Sequence, residues 1–116
     1  MNIKVVLVFL SLTILVSGLT NNLYVQPHGA GARISWPDPI EPTSEFLLLW
    51  FKDGMGRIEG HKFIVRTERG FTVRRLEPCA KYVFWLYGFD WNYEINGHWI
   101  GYLNTAGCAS DMDNNR

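Results

Sequence analysis

The chain has 116 residues, with 11 basic and 11 acidic side chains and an aromatic content of 15%. No basic patch in the sequence suggests binding to nucleic acid or to an anionic membrane. The length is sufficient for one domain with a single hydrophobic core.

The first predicted element is a secretory signal peptide at residues 1–18. Lys4 supplies a short positive region, Val5 to Val16 is apolar, and Val16-Ser17-Gly18 places small residues at the expected cleavage site. The apolar stretch is short for a membrane span, and an uncleaved signal anchor is the alternative. We therefore expect a secreted, extracellular protein with no membrane insertion after cleavage.

Cleavage after Gly18 leaves 116 − 18 = 98 residues with a net charge near −1. We assign residues 19–108 to one domain and residues 109–116 to a polar C-terminal tail. Both cysteines, Cys79 and Cys108, lie in the mature part. A secreted chain enters a compartment that oxidises thiols, so the two cysteines can form a disulfide.

Short strand-like runs separated by turn residues fill the mature chain, and no helical period is sustained. The predicted strands are Leu23 to Gln26, Ala32 to Trp36, Phe46 to Phe51, Lys62 to Arg66, Phe71 to Arg74, Tyr82 to Phe89 and His98 to Thr105. Seven strands at this spacing predict an all-β fold, a seven-stranded antiparallel β-sandwich.

A strand corner precedes the sixth predicted strand. Leu76 is followed by Pro78 and then by Tyr82. Pro78 restricts φ as the chain passes from one sheet to the other, and the hydroxyl of Tyr82 can reach back to the backbone of the connection. This arrangement is a tyrosine corner.

These motifs together resemble a fibronectin type III domain, an immunoglobulin-like sandwich. The matching residues are Trp36 of the second strand, Phe46, Leu48 and Trp50 of the third, Leu76, Pro78 and Tyr82 of the corner, and Thr105 at the end. Ala80 stands where the family usually has Thr. The Arg-Gly-Asp tripeptide and the Trp-Ser-x-Trp-Ser box are absent, so the activities they carry are not expected. The layout also resembles small secreted surface antigens of parasitic worms.

Side chains alternate across a strand, which assigns faces by parity. Tyr82, Phe84 and Leu86 are expected to point inward, as do the aromatic residues that carry the family resemblance. Val73 and Leu76 are both expected inward although they are three residues apart, so the strand must end or bulge between them.

The opposite parity of the third, sixth and seventh strands is also apolar, which is unusual for a face in contact with water. The outward residues are Leu47, Leu49, Phe51, Val83, Trp85, Tyr87, Ile100 and Tyr102, and Ile64 is expected to join them from the fourth strand. In the family these four strands form one sheet. We predict a partner-binding surface here, and the alternative is scattered exposed residues partly covered by loops.

The connection Asp90 to Gly97 between the last two strands carries Trp91 and Tyr93. Loops of a sandwich are common binding sites, and these side chains provide a large contact area at low entropic cost. We predict that both contact a partner. The alternative is that Trp91 folds back over the core.

A disulfide between Cys79 and Cys108 is predicted from the register of the last hairpin. If Tyr82 faces Thr105, paired residue numbers add up to 187, and the two cysteines give the same sum, 79 + 108 = 187. Opposed residues are within disulfide distance. The alternatives are free thiols or an intermolecular bridge.

We find no catalytic or metal-binding motif, and we predict no enzymatic activity and no cofactor. His28, His61 and His98 are scattered without ligand spacing. The sequence therefore predicts a secreted module that binds another protein. Two alternatives are a homodimerising structural protein or surface antigen, and a protein that holds a small apolar ligand on the sheet.

Overall fold

The structure is a computed structural model that describes residues 21–108. The predicted signal peptide and the tail 109–116 lie outside this range. Residues 21–108 form eight strands: Asn21–Asn22 (β1), Tyr24–His28 (β2), Gly31–Ser35 (β3), Glu45–Lys52 (β4), Gly60–Val65 (β5), Gly70–Val73 (β6), Lys81–Phe89 (β7) and Ile95–Asn104 (β8). Residues 21–108 include no helix capable of spanning a membrane.

The strands form two sheets, and this confirms the predicted all-β sandwich. The larger sheet has the order β1-β8-β7-β4-β5, and the smaller has the order β2-β3-β6. All pairs are antiparallel except β1 with β8. Strands β2 to β8 correspond in order to the seven predicted strands. The two-residue β1 is additional, and it extends the sheet at the edge of β8.

The core lies between the sheets and is built by every second residue of the facing strands. Its largest members are Trp36, Phe46, Tyr82, Phe84 and Trp99, with Ile34, Leu48 and Leu86 packed among them. The predicted inward parity of β4 and β7 is therefore confirmed. Burying these side chains provides the main driving force for folding.

The assignment of Ile64 to the outer face is wrong. Ile64 pairs with the inward residue Phe46 and is buried in the core. Phe63, opposite Leu47, takes the outward position instead. The pairing register decides which parity of a short strand faces the core, and β5 begins at Gly60, two residues before its predicted start.

The tyrosine corner is present at the start of β7. The backbone N–H of Glu77 donates a hydrogen bond to the hydroxyl oxygen of Tyr82 over 3.1 Å. The same hydroxyl donates to a carboxylate oxygen of Glu59 at 3.2 Å. Desolvation raises the pKa of Tyr82, so the group remains neutral and can donate. The Tyr82 hydroxyl thus connects the corner to the segment that precedes β5, 23 residues away in sequence.

The disulfide is present, but the hairpin register behind its prediction is wrong by two residues. Cys79 and Cys108 are bonded, with their Cα atoms 4.6 Å apart. Tyr82 pairs with Leu103 instead of Thr105. Gly107, at φ +93°, turns the chain so that Cys108 returns to Cys79. The predicted faces of β7 and β8 survive because a shift of two residues preserves parity.

Candidate partner-binding surface

The loop between β7 and β8 has a backbone organised by Asp90. The Asp90 carboxylate accepts hydrogen bonds from the backbone N–H groups of Asn92 at 2.8 Å and Glu94 at 3.0 Å. Two backbone bonds close the turn, from Tyr93 N–H to the Asp90 carbonyl and from Asp90 N–H to the Glu94 carbonyl. Such bonding predicts a loop that presents its side chains in a defined arrangement.

Tyr93 occupies the left-handed region, with φ at 61°. Glycine is the usual residue at this position of a hairpin loop of this type, because a side chain there is strained. Strained backbone conformations are concentrated at functional sites. The Tyr93 side chain lies mostly in solvent, so it gains no packing that would offset this strain. The strained backbone therefore makes Tyr93 a candidate contact residue.

Trp91 and Tyr93 are exposed by 67% and 59%. The alternative in which Trp91 covers the core is therefore wrong. The guanidinium carbon of Arg66 lies 5.6 Å from the centre of the Trp91 ring, which is cation–π distance. The loop thus presents two aromatic rings to solvent, one of them against a cation.

Two further connections, residues 36–44 and 66–69, lie at the same end of the sandwich. Hydrogen bonds hold them to each other and to the β7–β8 hairpin. The Ser44 hydroxyl donates to the Asp90 carbonyl at 2.8 Å, and the Asn96 side-chain amide donates to the Pro42 carbonyl at 2.6 Å. Arg69 donates to Asp38 at 2.8 Å and to the Arg66 carbonyl at 2.6 Å. We call residues 36–44, 65–69 and 90–94 the loop end.

Ile40 and Val65 are exposed apolar residues of the loop end that were not predicted as site residues. Ile40 is 96% exposed and lies between Pro39 and Pro42. In the sequence, Ile40 is an isolated apolar residue among prolines, and this pattern only weakly indicates an exposed contact residue. Val65, at the end of β5, gave no signal because its parity was misassigned.

The outer face of the larger sheet is apolar, as predicted, but its centre is not exposed. Leu47, Leu49 and Tyr87 are fully buried, together with Phe89. The physical reason is the size of their neighbours, since Phe63, Trp85 and Ile95 pack against these side chains. Of the other outward residues predicted on this face, Val83 is also buried, Phe51, Trp85 and Ile100 are half-buried, and Tyr102 is exposed.

A group of stacked rings occupies the same face. The rings of Tyr87 and His98 stack with their centres 4.5 Å apart, and Trp85 meets both edge-on. Desolvation raises the pKa of Tyr87 and lowers the pKa of His98, which favours the neutral form of each group. Among residues 21–108, neither the Tyr87 hydroxyl nor the Trp85 indole N–H has a hydrogen-bond partner.

Residues 21–108 hold no cluster of three or more His, Cys, Asp and Glu side chains that could bind a metal ion. What the loop end offers is exposed aromatic and aliphatic area on tethered loops, together with the Arg66 cation. Such an arrangement suits binding by desolvation of rings.

Comparison with solved structures identifies the fold. The crystal structure of the FN3 domain of human collagen XX aligns with a TM-score of 0.63 and 14% identity, covering 73% of this chain and 88% of that chain. This chain has the fibronectin type III fold. Solution structures of the fn3 domain of human collagen alpha-1(XX) align with a TM-score of 0.65 and 15% identity, covering 77% of this chain and 85% of that chain.

A computationally redesigned β-sandwich protein aligns with a TM-score of 0.66 and 17% identity, over 75% of this chain and 88% of that chain. No protein-family model and no curated protein sequence matches the chain.

Proposed function

We propose that this fibronectin type III domain binds another protein through the loop end, with Trp91 and Tyr93 as the main contacts. The observation that carries this proposal is the exposure of both rings, 67% and 59%, on a loop whose backbone is held by the Asp90 carboxylate. Binding energy at protein interfaces is concentrated in a few such aromatic residues, which release water when they enter a pocket of the partner.

The tethering of the loop end supports the proposal through the entropy of binding. A loop that is already ordered loses less conformational freedom when it binds, so more of the interaction energy remains as affinity. The bonds from Ser44 and Asn96 connect the loop and β8 to the β3–β4 connection. Ile40 and Val65 extend the apolar area, and Arg66 adds a charge that can select the orientation of the partner.

The outer face of the larger sheet has a smaller role in this proposal than the sequence predicted. A buried side chain cannot contact a partner without rearrangement, which applies to Leu47, Leu49 and Tyr87. Phe51, Trp85, Ile100 and Tyr102 are accessible enough to contribute contacts at the edge of an interface.

The proposed place of action is outside the cell. The Cys79–Cys108 disulfide is typical of extracellular proteins, because the cytosol keeps thiols reduced. Secretion through residues 1–18 is part of this proposal. Expression in secreting cells with N-terminal sequencing of the released protein tests it, and a mature N-terminus at Leu19 is expected. A product that stays on the membrane and retains Lys4 would contradict it.

The test of binding compares capture of partners by three forms of the mature protein. The double variant Trp91→Ser/Tyr93→Ser should lose a partner that the wild type captures from extracellular fluid. The matched control is Tyr24→Ser, which removes an exposed aromatic side chain from β2, outside the loop end. Equal capture by all three forms would overturn the proposal. Concentration-dependent dimers on size exclusion that persist in the double variant would favour the homodimer instead.

A further inference from the structure

The loop end is acidic, whereas the formal charge of the whole chain is zero. Its three segments, residues 36–44, 65–69 and 90–94, contain five carboxylates and two guanidinium groups, so their formal charge is 2 − 5 = −3. The carboxylates belong to Asp38, Glu41, Glu68, Asp90 and Glu94, and the guanidinium groups belong to Arg66 and Arg69. A surface with this excess of negative charge attracts cationic partners and repels anionic ones.

Only two of the five carboxylates have partners within the domain. The Asp38 carboxylate pairs with Arg69 at 2.8 Å, and the Asp90 carboxylate accepts hydrogen bonds from two backbone N–H groups of its own loop. The other three are exposed, lie one on each connection of the loop end, and have no paired cation among residues 21–108: Glu41, Glu68 and Glu94. The unpaired negative charge of the loop end is therefore available to a partner.

The Trp91 ring already holds a cation. The guanidinium carbon of Arg66 lies 5.6 Å from the ring centre. Indole is the aromatic group that attracts cations most strongly, and arginine is the side chain found most often on such rings. Arg66 is exposed and has no carboxylate partner among residues 21–108, so a guanidinium group from outside can displace it. Arg66 thus shows which chemical group this ring accepts.

A cleft of about 400 Å³ lies between the β3–β4 connection and the segment after β5. Ile40 and Pro42 contribute apolar lining, and Glu41 and Arg66 line the same cleft. A long basic side chain can bury its methylene groups against such apolar residues while its charged end stays in solvent beside a carboxylate. The cleft therefore suits an arginine or lysine side chain next to the position that Arg66 occupies.

We propose that the partner of the loop end presents a basic protein segment, and that one of its arginine side chains replaces Arg66 on the Trp91 ring. This partner chemistry rests on the proposed function, which assigns the contact residues but not the charge of the partner. The unpaired carboxylates attract the segment, and the exposed Tyr93 ring offers a second surface for a guanidinium group. In the free protein Arg66 competes with the partner for the ring and so lowers the affinity.

The variant Arg66→Gln tests this competition, because removal of an exposed arginine is expected to strengthen binding. The probe is a labelled oligoarginine peptide, and fluorescence anisotropy at about 0.15 M salt measures its dissociation constant. Arg66→Gln frees the Trp91 ring and removes a repulsive charge, so it should bind the peptide about threefold more tightly than the wild type. The control Arg57→Gln removes the same charge from the β4–β5 connection, at the opposite end of the sandwich, and should bind within about 1.5-fold of the wild type.

Neutralising the unpaired carboxylates should have the opposite effect. Glu41→Gln/Glu94→Gln should bind oligoarginine about fivefold more weakly. The matched control Asp53→Asn/Glu77→Gln removes two exposed carboxylates outside the loop end and should stay within about twofold of the wild type. Oligolysine of equal length should bind more weakly than oligoarginine, because a guanidinium group stacks on an aromatic ring and an ammonium group does not.

Unchanged or weaker binding in Arg66→Gln, equal losses in the two double variants, equal affinity for oligolysine, or no binding of oligoarginine by the wild type would overturn the proposal. If Trp91→Ser/Tyr93→Ser nevertheless loses its captured partner, the proposed function stands and only the basic character of the partner is wrong. Equal capture of the partner by the wild type and by Trp91→Ser/Tyr93→Ser would overturn the proposed function itself, and with it this partner chemistry.

Discussion

The hydroxyl of Tyr82 accepts a hydrogen bond from the backbone N–H of Glu77, 3.1 Å away and five residues earlier in the chain. The bond closes the corner that carries the chain from the smaller sheet to the larger one. Tyr82→Phe keeps the buried ring and removes the hydroxyl, so we expect a loss of about 1 kcal/mol in the free energy of unfolding. Urea unfolding measures it. Tyr102→Phe, on an exposed ring, is the control, and a similar loss there would contradict a specific role for the corner.

The buried cluster on the outer face should contribute to stability. Leu49→Ala removes a fully buried side chain and should cost about 2–4 kcal/mol, whereas Tyr102→Ala on the same face should cost much less because the ring is exposed. Denaturant unfolding of both variants decides the point. If Leu49→Ala unfolds at the same urea concentration as the wild type, the centre of this face is open to solvent.

Acid should destabilise the protein through His98. Burial lowers the pKa of His98 from its ordinary value of 6.5, so below that pH the unfolded chain binds a proton more readily than the folded one. The free energy of unfolding should be constant above about pH 7 and decrease as the pH falls through 6.5 toward 5. In His98→Phe, which keeps a ring against Tyr87, this decrease should be smaller.

A substitution of an exposed, non-titrating residue provides the control for this titration. Met55→Leu should show the same loss of stability between pH 7 and pH 5 as the wild type. Identical profiles for the wild type and His98→Phe would indicate that other groups cause the acid sensitivity.

Removal of the disulfide should destabilise the domain without changing its fold. The bridge closes a loop of 29 residues, and Cys79→Ser/Cys108→Ser should cost roughly 3–4 kcal/mol by the chain-entropy account. The secreted wild-type protein should contain no free thiol by intact-mass measurement without reduction. A mass that corresponds to two free thiols would refute the pairing.

Tyr93→Gly separates loop strain from loop function. Glycine adopts positive φ without strain, so the free energy of unfolding should stay the same or rise by up to about 1 kcal/mol. Loss of the ring should weaken partner binding under the proposed function. Trp91→Ser should also weaken binding, but without any gain in stability. A marked loss of stability in Tyr93→Gly would show that the ring contributes to packing.

Local patterns in the sequence were sufficient for the architecture. The alternation of residue types along the chain predicted the strands and the inward faces of β4 and β7, because successive side chains of any strand point to opposite faces. The sequence Leu76 to Tyr82 predicted the corner, and the positions of Val73 and Leu76 predicted that the strand ends or bulges between them. In the structure β6 ends at Val73. The exposed rings of Trp91 and Tyr93 were also predictable, since a turn with polar residues on both sides places its side chains outside.

The features that the sequence did not predict depend on pairing and contacts between segments that are distant in the chain. Ile64 faces the core because β5 pairs in a particular register with β4, and Leu49 is buried because rings from neighbouring strands surround it. Ile40 and Arg66 join Trp91 at one end through contacts between three connections. Arg33 lies beside Arg74 and Arg75 only because β3 pairs with β6. The composition gives only the charge balance of the whole chain, and strand pairing decides which charged side chains become neighbours.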